Sequence, residues 1–146
     1  MDVEPDFRDM LACLNGRGVE YLIVGSFALA FHGKPRATGD IDILVRPSPE
    51  NAARMMAALA DFGMALPGIS AADFERPDMV VQLGVPPVRI DLITSITGVT
   101  WDQAFAGRVE GMLGDVRVSY LGLDDFIVNK RATGRPKDLG DIDALR

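Results

Sequence analysis

The residues best equipped for chemistry in this chain are three aspartates and a Gly-Ser pair. Asp40 and Asp42 stand two apart in Asp40-Ile41-Asp42-Ile43-Leu44-Val45, an alternation of polar and apolar residues that predicts a strand. A period of two sets both carboxylates on one face and turns Ile41, Ile43 and Val45 to the other. Adjacent carboxylates in a low-dielectric site repel, so their joint ionisation calls for a strong cation. Hard oxygen donors suit Mg²⁺, with Mn²⁺ as the substitute, and Mg²⁺ usually takes one or two carboxylates plus substrate phosphates. Asp91 is the informative third member, because it interrupts the apolar run Ile90-Asp91-Leu92, where a lone buried carboxylate would be costly. If its strand lies beside the first, all three carboxylates converge on a metal. The ordinary alternative for the first pair is Asp40 capping the strand and Asp42 facing solvent on an edge.

Upstream, Gly25-Ser26 follows the apolar run Tyr21-Leu22-Ile23-Val24. Glycine permits close backbone approach, and a helix opening there would offer free N–H groups to a phosphate. The turn is not a P-loop, because Gly33-Lys34 is followed by Pro35 and the spacing from Gly25 is wrong.

The elements that must position these groups can be read from periodicity. Phe7, Met10, Leu11 and Leu14 recur at helical spacing between Asp6 and Asn15, and Gly16 and Gly18 end that helix. Tyr21–Val24 reads as a buried strand, Ser26 as the N-cap of a short helix closed by Gly33, and Lys34–Gly39 as a basic loop. A helix from Glu50 to Phe62 follows Pro47-Ser48-Pro49, and Gly63 to Asp78 is irregular. Met79–Leu83 and Val88–Ile93 predict one hairpin, Val109–Met112 and Val116–Ser119 a second, with a helix around Trp101–Phe105 between them. Helices over Asp124–Ala132 and Pro136–Leu145 finish the chain. Hairpins interrupting the strand–helix alternation predict an α+β (α/β-like) fold, a mixed sheet flanked by helices, in one domain over residues 1–146.

At 146 residues the chain can bury roughly 70% of its unfolded surface and needs no disulfide to hold a core. Its single cysteine, Cys13, fits a reducing cytosol. The acidic start, Met1-Asp2-Val3-Glu4-Pro5-Asp6, lacks the apolar stretch of a signal peptide, and no run approaches the length of a membrane span. The expectation is a cytoplasmic protein with no membrane partner. A net charge of −6 argues against general duplex nucleic-acid binding, while leaving room for a local basic pocket.

The order of Val24-Gly25-Ser26, a thirteen-residue gap, Asp40-Ile41-Asp42-Ile43 and then Ile90-Asp91-Leu92 resembles the nucleotidyltransferase superfamily, which includes DNA polymerase β and the minimal nucleotidyltransferases. Val24–Gly33 and Arg36–Asp42 are similar to bacterial abortive-infection type IV toxin–antitoxin members, as is the tail from Lys130 to Asp141. The resemblance implies a nucleotidyltransferase-type fold and transfer of an NMP group from a nucleoside triphosphate, such as ATP, to an acceptor hydroxyl. By that likeness Gly25 and Ser26 hold the triphosphate, and Asp40 and Asp42 bind both metals. Asp91 completes the site. Lys130 and Lys137 become candidates for phosphate contacts, and Asp138 a supporting site residue. Many members carry a larger helical region for the acceptor. This chain leaves little room for one, so a partner protein or a second copy of the chain could present it.

Other residues carry plainer readings beside the functional ones. Lys34 and Arg36 could neutralise phosphate or simply be solvated, and Arg36 is kept as a nucleotide-binding candidate. Lys137 and Asp141 stand at i,i+4, the spacing of a surface ion pair. His32, the only histidine, reads as a structural residue at a helix C-terminus. Arg89 shares a strand face with Asp91 and is expected to pair with it. Met55, Met56 and Met64 read as core filler. Two rival functions remain: an inactive or regulatory partner protein of antitoxin type, and an Asp-x-Asp phosphatase. The second is disfavoured because Ile43-Leu44-Val45 follows the aspartates rather than preceding them.

Overall fold

The computed structural model describes residues 3–33, 39–64, 66–85 and 88–144. Six strands form one sheet in the order β3-β4-β2-β1-β6-β5, where β1 is Tyr21–Val24, β2 Asp40–Val45, β3 Val80–Val85, β4 Val88–Ile93, β5 Val109–Leu113 and β6 Val116–Tyr120. Both expected hairpins form, β3 with β4 and β5 with β6, each antiparallel. The pairs β2–β4 and β1–β6 are parallel, and β1–β2 is antiparallel, so the sheet is mixed. Among the described residues the α-helices are α1 (Pro5–Gly16), α2 (Gly25–Phe31), α3 (Pro49–Asp61), α4 (Trp101–Ala106), α5 (Leu123–Thr133) and α6 (Pro136–Ala144). The irregular stretch after α3 contains a 3₁₀ turn, Ala71–Phe74, held by a Ser70/Asp73 capping box.

The strands that carry the aspartates lie inside the sheet. On β2, Ile41, Ile43 and Val45 are fully buried, as the alternation requires, and each such side chain is worth about 1.5–3 kcal/mol of burial. Phe7, Met10, Leu11 and Leu14 of α1 join this core, together with Met55 of α3. Met56 and Met64 pack at its margin. The expectation of Asp42 on a sheet edge fails, because β2 is covered on one side by β1 and on the other by β4.

Asn51 pins β1 and β2 at the end away from the aspartates. Its amide accepts from Glu20 N (2.8 Å) and donates to Glu20 O (3.0 Å) and Arg46 O (3.1 Å), all from a fully buried side chain. The start of α3 is capped by Ser48, which accepts from Asn51 N at 3.1 Å. The corresponding expectation for α2 is corrected. Ser26 makes no cap bond; Val24 occupies the N-cap position and Ser26 lies within the first turn. His32 sits at the C-terminal end of α2, where its Nε2 donates to Leu121 O at 2.8 Å and ties α2 to the segment after β6.

Candidate active site

The two parallel strands bring the three aspartates together by register. Asp42 stands opposite Asp91, and Asp40 opposite Arg89. Registered residues of neighbouring strands project to the same face, so Asp40, Asp42, Arg89 and Asp91 share one face. On the other side of β2, Asp42 is registered with Val24, the last residue of β1. The chain turns into α2 at the next residue, and this places Gly25 against the Asp42 carboxylate. Gly25 has φ +65°, and a Cβ there would collide with Asp42 Oδ2. Glycine is therefore required for both the turn and the close approach. Because α2 has only seven residues, its contribution to an anion is mainly its free N–H groups rather than a summed dipole.

A pocket of about 310 Å³ opens over this face, lined by Gly25, Ser26 and the aspartates on one side and by Lys130, Arg135, Lys137 and Asp138 on the other. Gly134, in the left-handed conformation at φ +67°, ends α5 and folds the chain back so that α6 begins over the pocket. A larger hollow of about 560 Å³ lies between α1, the end of α3 and the opposite face of β3–β4, with Leu83, Val88 and Ile90 as its floor. Among the described residues no lysine or arginine lines it, so none of them offers a cation to a phosphate there.

The acidic wall crowds like charges around Asp42. Burial pushes the Asp42 carboxyl up to about 6, helped by a hydrogen bond with Asp91 and by the charges of Asp91 and Asp40, and opposed by Lys130. Arg89 pairs with Asp91, as expected, and its guanidinium also reaches Asp40. Nη2 is 3.0 Å from Asp40 Oδ2 and donates to Asp91 Oδ2 at 3.2 Å. Arg89 Nε is 3.0 Å from Asp91 Oδ1, yet the angle is too poor for a hydrogen bond, and both atoms are buried without one.

The basic wall is organised around Asp138, whose side chain is 1% exposed. It accepts from Arg135 Nε (2.6 Å) and Thr133 Oγ1 (2.6 Å) and lies 3.4 Å from Lys130 Nζ. Burial by itself would raise this carboxyl, but the hydrogen bonds from Arg135 and Thr133 and the charges of Lys130 and Arg135 outweigh it and hold it at about 2. Lys130 Nζ also lies 5.4 Å from the centre of the Phe126 ring.

The acidic donor set suits a hard divalent cation: three carboxylates, one of them pushed up by burial and by its neighbours, and an orphaned buried acceptor at Asp91 Oδ1. Among the described residues no three acidic, histidine or cysteine side chains are already gathered as a metal cage. The guanidinium of Arg89 lies between two of the three.

Of the sequence candidates, Gly25, Ser26, Asp40, Asp42, Asp91, Lys130, Lys137 and Asp138 all line the pocket. Arg36 and Lys34 fall outside the described residues, as does the side chain of Asp141 and with it the anticipated pair to Lys137. Arg135 and the second contact of Arg89 were missed. Arg135 stands inside the Gly134–Asp138 motif, where its i,i+3 spacing to Asp138 was the available signal.

Residues 4–146 match the family described as "Nucleotidyl transferase of unknown function (DUF2204)". The chain belongs to this family. Membership implies a nucleotide substrate and an enzyme of nucleotidyltransferase type. Among curated proteins, none matches the sequence. The fold is similar to the crystal structure of a "putative nucleotidyltransferase" from Thermotoga maritima, with a TM-score of 0.62, 15% identity, and coverage of 99% of this chain and 93% of that one. At that identity the likeness speaks for the fold alone, and the fold is the one expected of the family. Among the described residues, no helix is long and apolar enough to cross a membrane.

Proposed function

We propose that the chain acts, as a single domain, as a Mg²⁺-dependent nucleotidyltransferase that moves an NMP group from a nucleoside triphosphate to an acceptor hydroxyl and releases pyrophosphate. The observation that carries this reading is one pocket with three carboxylates on adjacent strands and two lysines and an arginine facing them. Asp40, Asp42 and Asp91 would hold the metal, Mn²⁺ being the substitute. When bound, the metal supplies neutralisation of charge on the transferring and leaving phosphate oxygens. The close backbone at Gly25 and Ser26, with Lys130, Arg135 and Lys137, holds the triphosphate. Asp138 acts through others: its buried carboxylate fixes where Lys130 and Arg135 project. In the transfer, the acceptor oxygen bonds to the α-phosphorus, the α–β phosphoanhydride bond breaks, and pyrophosphate leaves. The hydroxyl proton passes to Asp91 as general base.

A volume of about 310 Å³ is at the small end for a ligand site, so the acceptor approaches from the open side, presented by a partner or a second copy of the chain. The motif likeness to abortive-infection type IV systems supports a protein partner of that kind. Stoichiometric copurification of a partner, with no turnover of any triphosphate by the chain alone, would favour a regulatory role over catalysis.

Calorimetry with ATP, GTP, CTP and UTP in the presence of Mg²⁺ tests the reading, with Asp42→Asn as control. Binding of at least one triphosphate that the control loses is the expected result. No binding, or binding indifferent to the substitution, would overturn it. Labelled triphosphates incubated with cell extract would then reveal the acceptor.

A further inference from the structure

We infer that Arg89 is the resident cation of the metal-free site, a positioning residue that holds Asp40 and Asp91 and competes with the divalent ion for them. The inference rests on the proposed role of these aspartates as metal ligands. Its grounds are geometric. Arg89 is registered opposite Asp40 and two residues before Asp91, so strand pairing alone delivers its side chain between the two carboxylates. One nitrogen, Nη2, serves both, at 3.0 Å from Asp40 Oδ2 and 3.2 Å from Asp91 Oδ2.

A guanidinium binds a carboxylate best through two parallel N–H···O bonds. Here the second is absent. Nε and Asp91 Oδ1 are 3.0 Å apart at an unproductive angle, leaving a buried donor and a buried acceptor unsatisfied. The clamp is thus strong enough to neutralise two carboxylates and poor enough to be given up. The Arg89 side chain retains 27% of its exposure and Asp40 35%, against 11% for Asp91, which leaves the guanidinium a way out toward solvent. The same placement accounts for three carboxylates on one face that are not yet gathered around a common point. Two of them are turned onto Arg89.

The test compares the wild-type chain with Arg89→Gln and Arg89→Lys, without nucleotide. Mn²⁺ and Mg²⁺ binding is measured by calorimetry, and melting temperature is followed in EDTA and in saturating Mg²⁺. Competition requires Arg89→Gln to bind Mn²⁺ at least fivefold more tightly, to melt lower than wild type in EDTA, and to gain more on adding Mg²⁺. Arg89→Lys, which keeps the charge, should fall between the two in metal affinity. Equal or weaker metal binding by Arg89→Gln would overturn the inference while leaving the metal role of the aspartates standing. Absence of binding by wild type and both variants would overturn both. A variant as stable as wild type in EDTA would likewise show that Arg89 neutralises nothing there.

Discussion

The two walls of the pocket solve the problem of buried charge in opposite ways. On the strand wall, Asp42 is pushed up to about 6 and Asp91 keeps a buried oxygen without a hydrogen bond. On the helix wall, Asp138 is more deeply buried yet held at about 2, with Arg135, Thr133 and Lys130 around it. The contrast follows from the elements. Strand register forces Asp42 and Asp91 side by side whatever their mutual repulsion, and the sheet core absorbs the strain. Helix ends can bring side chains from three and five residues away onto one carboxylate, so α5 and α6 build a self-neutralised cluster. On the proposed reading, the strand wall is the ligand's side of the pocket and the helix wall is the scaffold that aims other groups at it.

Breaking the strand wall should have the largest effect. Asp42→Asn removes a metal-ligand candidate worth several kcal/mol of transition-state stabilisation, and transfer of label from a triphosphate should drop about 10³-fold. The same variant should melt a few degrees higher than wild type in EDTA, because it relieves repulsion with Asp91 and Asp40. A lower melting temperature would mean that the carboxylates are not in conflict.

On the helix wall the sign reverses. Asp138→Asn takes away the buried carboxylate that Arg135 and Lys130 pair with and should cost about 2 kcal/mol. That corresponds to a fall of about 6 °C in melting temperature, with weaker triphosphate binding alongside. Stability unchanged by this substitution would remove Asp138 as the organiser. Gly25→Ala tests the junction between the walls. Strain at φ +65° and collision with Asp42 should cost about 1–2 kcal/mol in chemical denaturation and displace Asp42 enough to weaken metal binding.

The subtlest test is pH. Asp138, held at about 2 against an ordinary value of 3.8, contributes stability that is present above pH 4 and is lost as pH falls toward 2. Asp42, raised from 3.8 to about 6, works the other way. The folded chain keeps a proton that the unfolded chain has released, so metal-free stability declines as pH rises between about 4 and about 6. Urea titrations in EDTA between pH 2 and pH 6 should show both slopes, each of about 1 kcal/mol per pH unit. Asp42→Asn should flatten the upper one and Asp138→Asn the lower. A wild-type profile matching that of Asp42→Asn between pH 4 and 6 would contradict the raised carboxyl.

Much of this was legible in the residues. Period-two alternation identified β2, helical spacing identified α1, and apolar runs around turn residues identified both hairpins, β4 among them, to within two residues at each end. Local rules suffice for α1, β2 and β4 because each buries its own stripe. The Ser26 cap was misjudged because a serine after a strand looks the same whether it precedes a helix or opens its first turn. Arg135 was overlooked because its value depends on Asp138 being buried, which helix packing decides and spacing does not reveal.

The sequence by itself determined which side chains share a face and in what order the acidic and glycine motifs arrive, since these follow from backbone periodicity alone. Only the tertiary structure decided that β2 lies between β1 and β4, that Asp42 meets Asp91 across a parallel pair, and that Arg89 stands between two carboxylates. Strand neighbours and the resulting electrostatic conflict are set by long-range pairing. That pairing joins residues some fifty positions apart, beyond the reach of any local pattern.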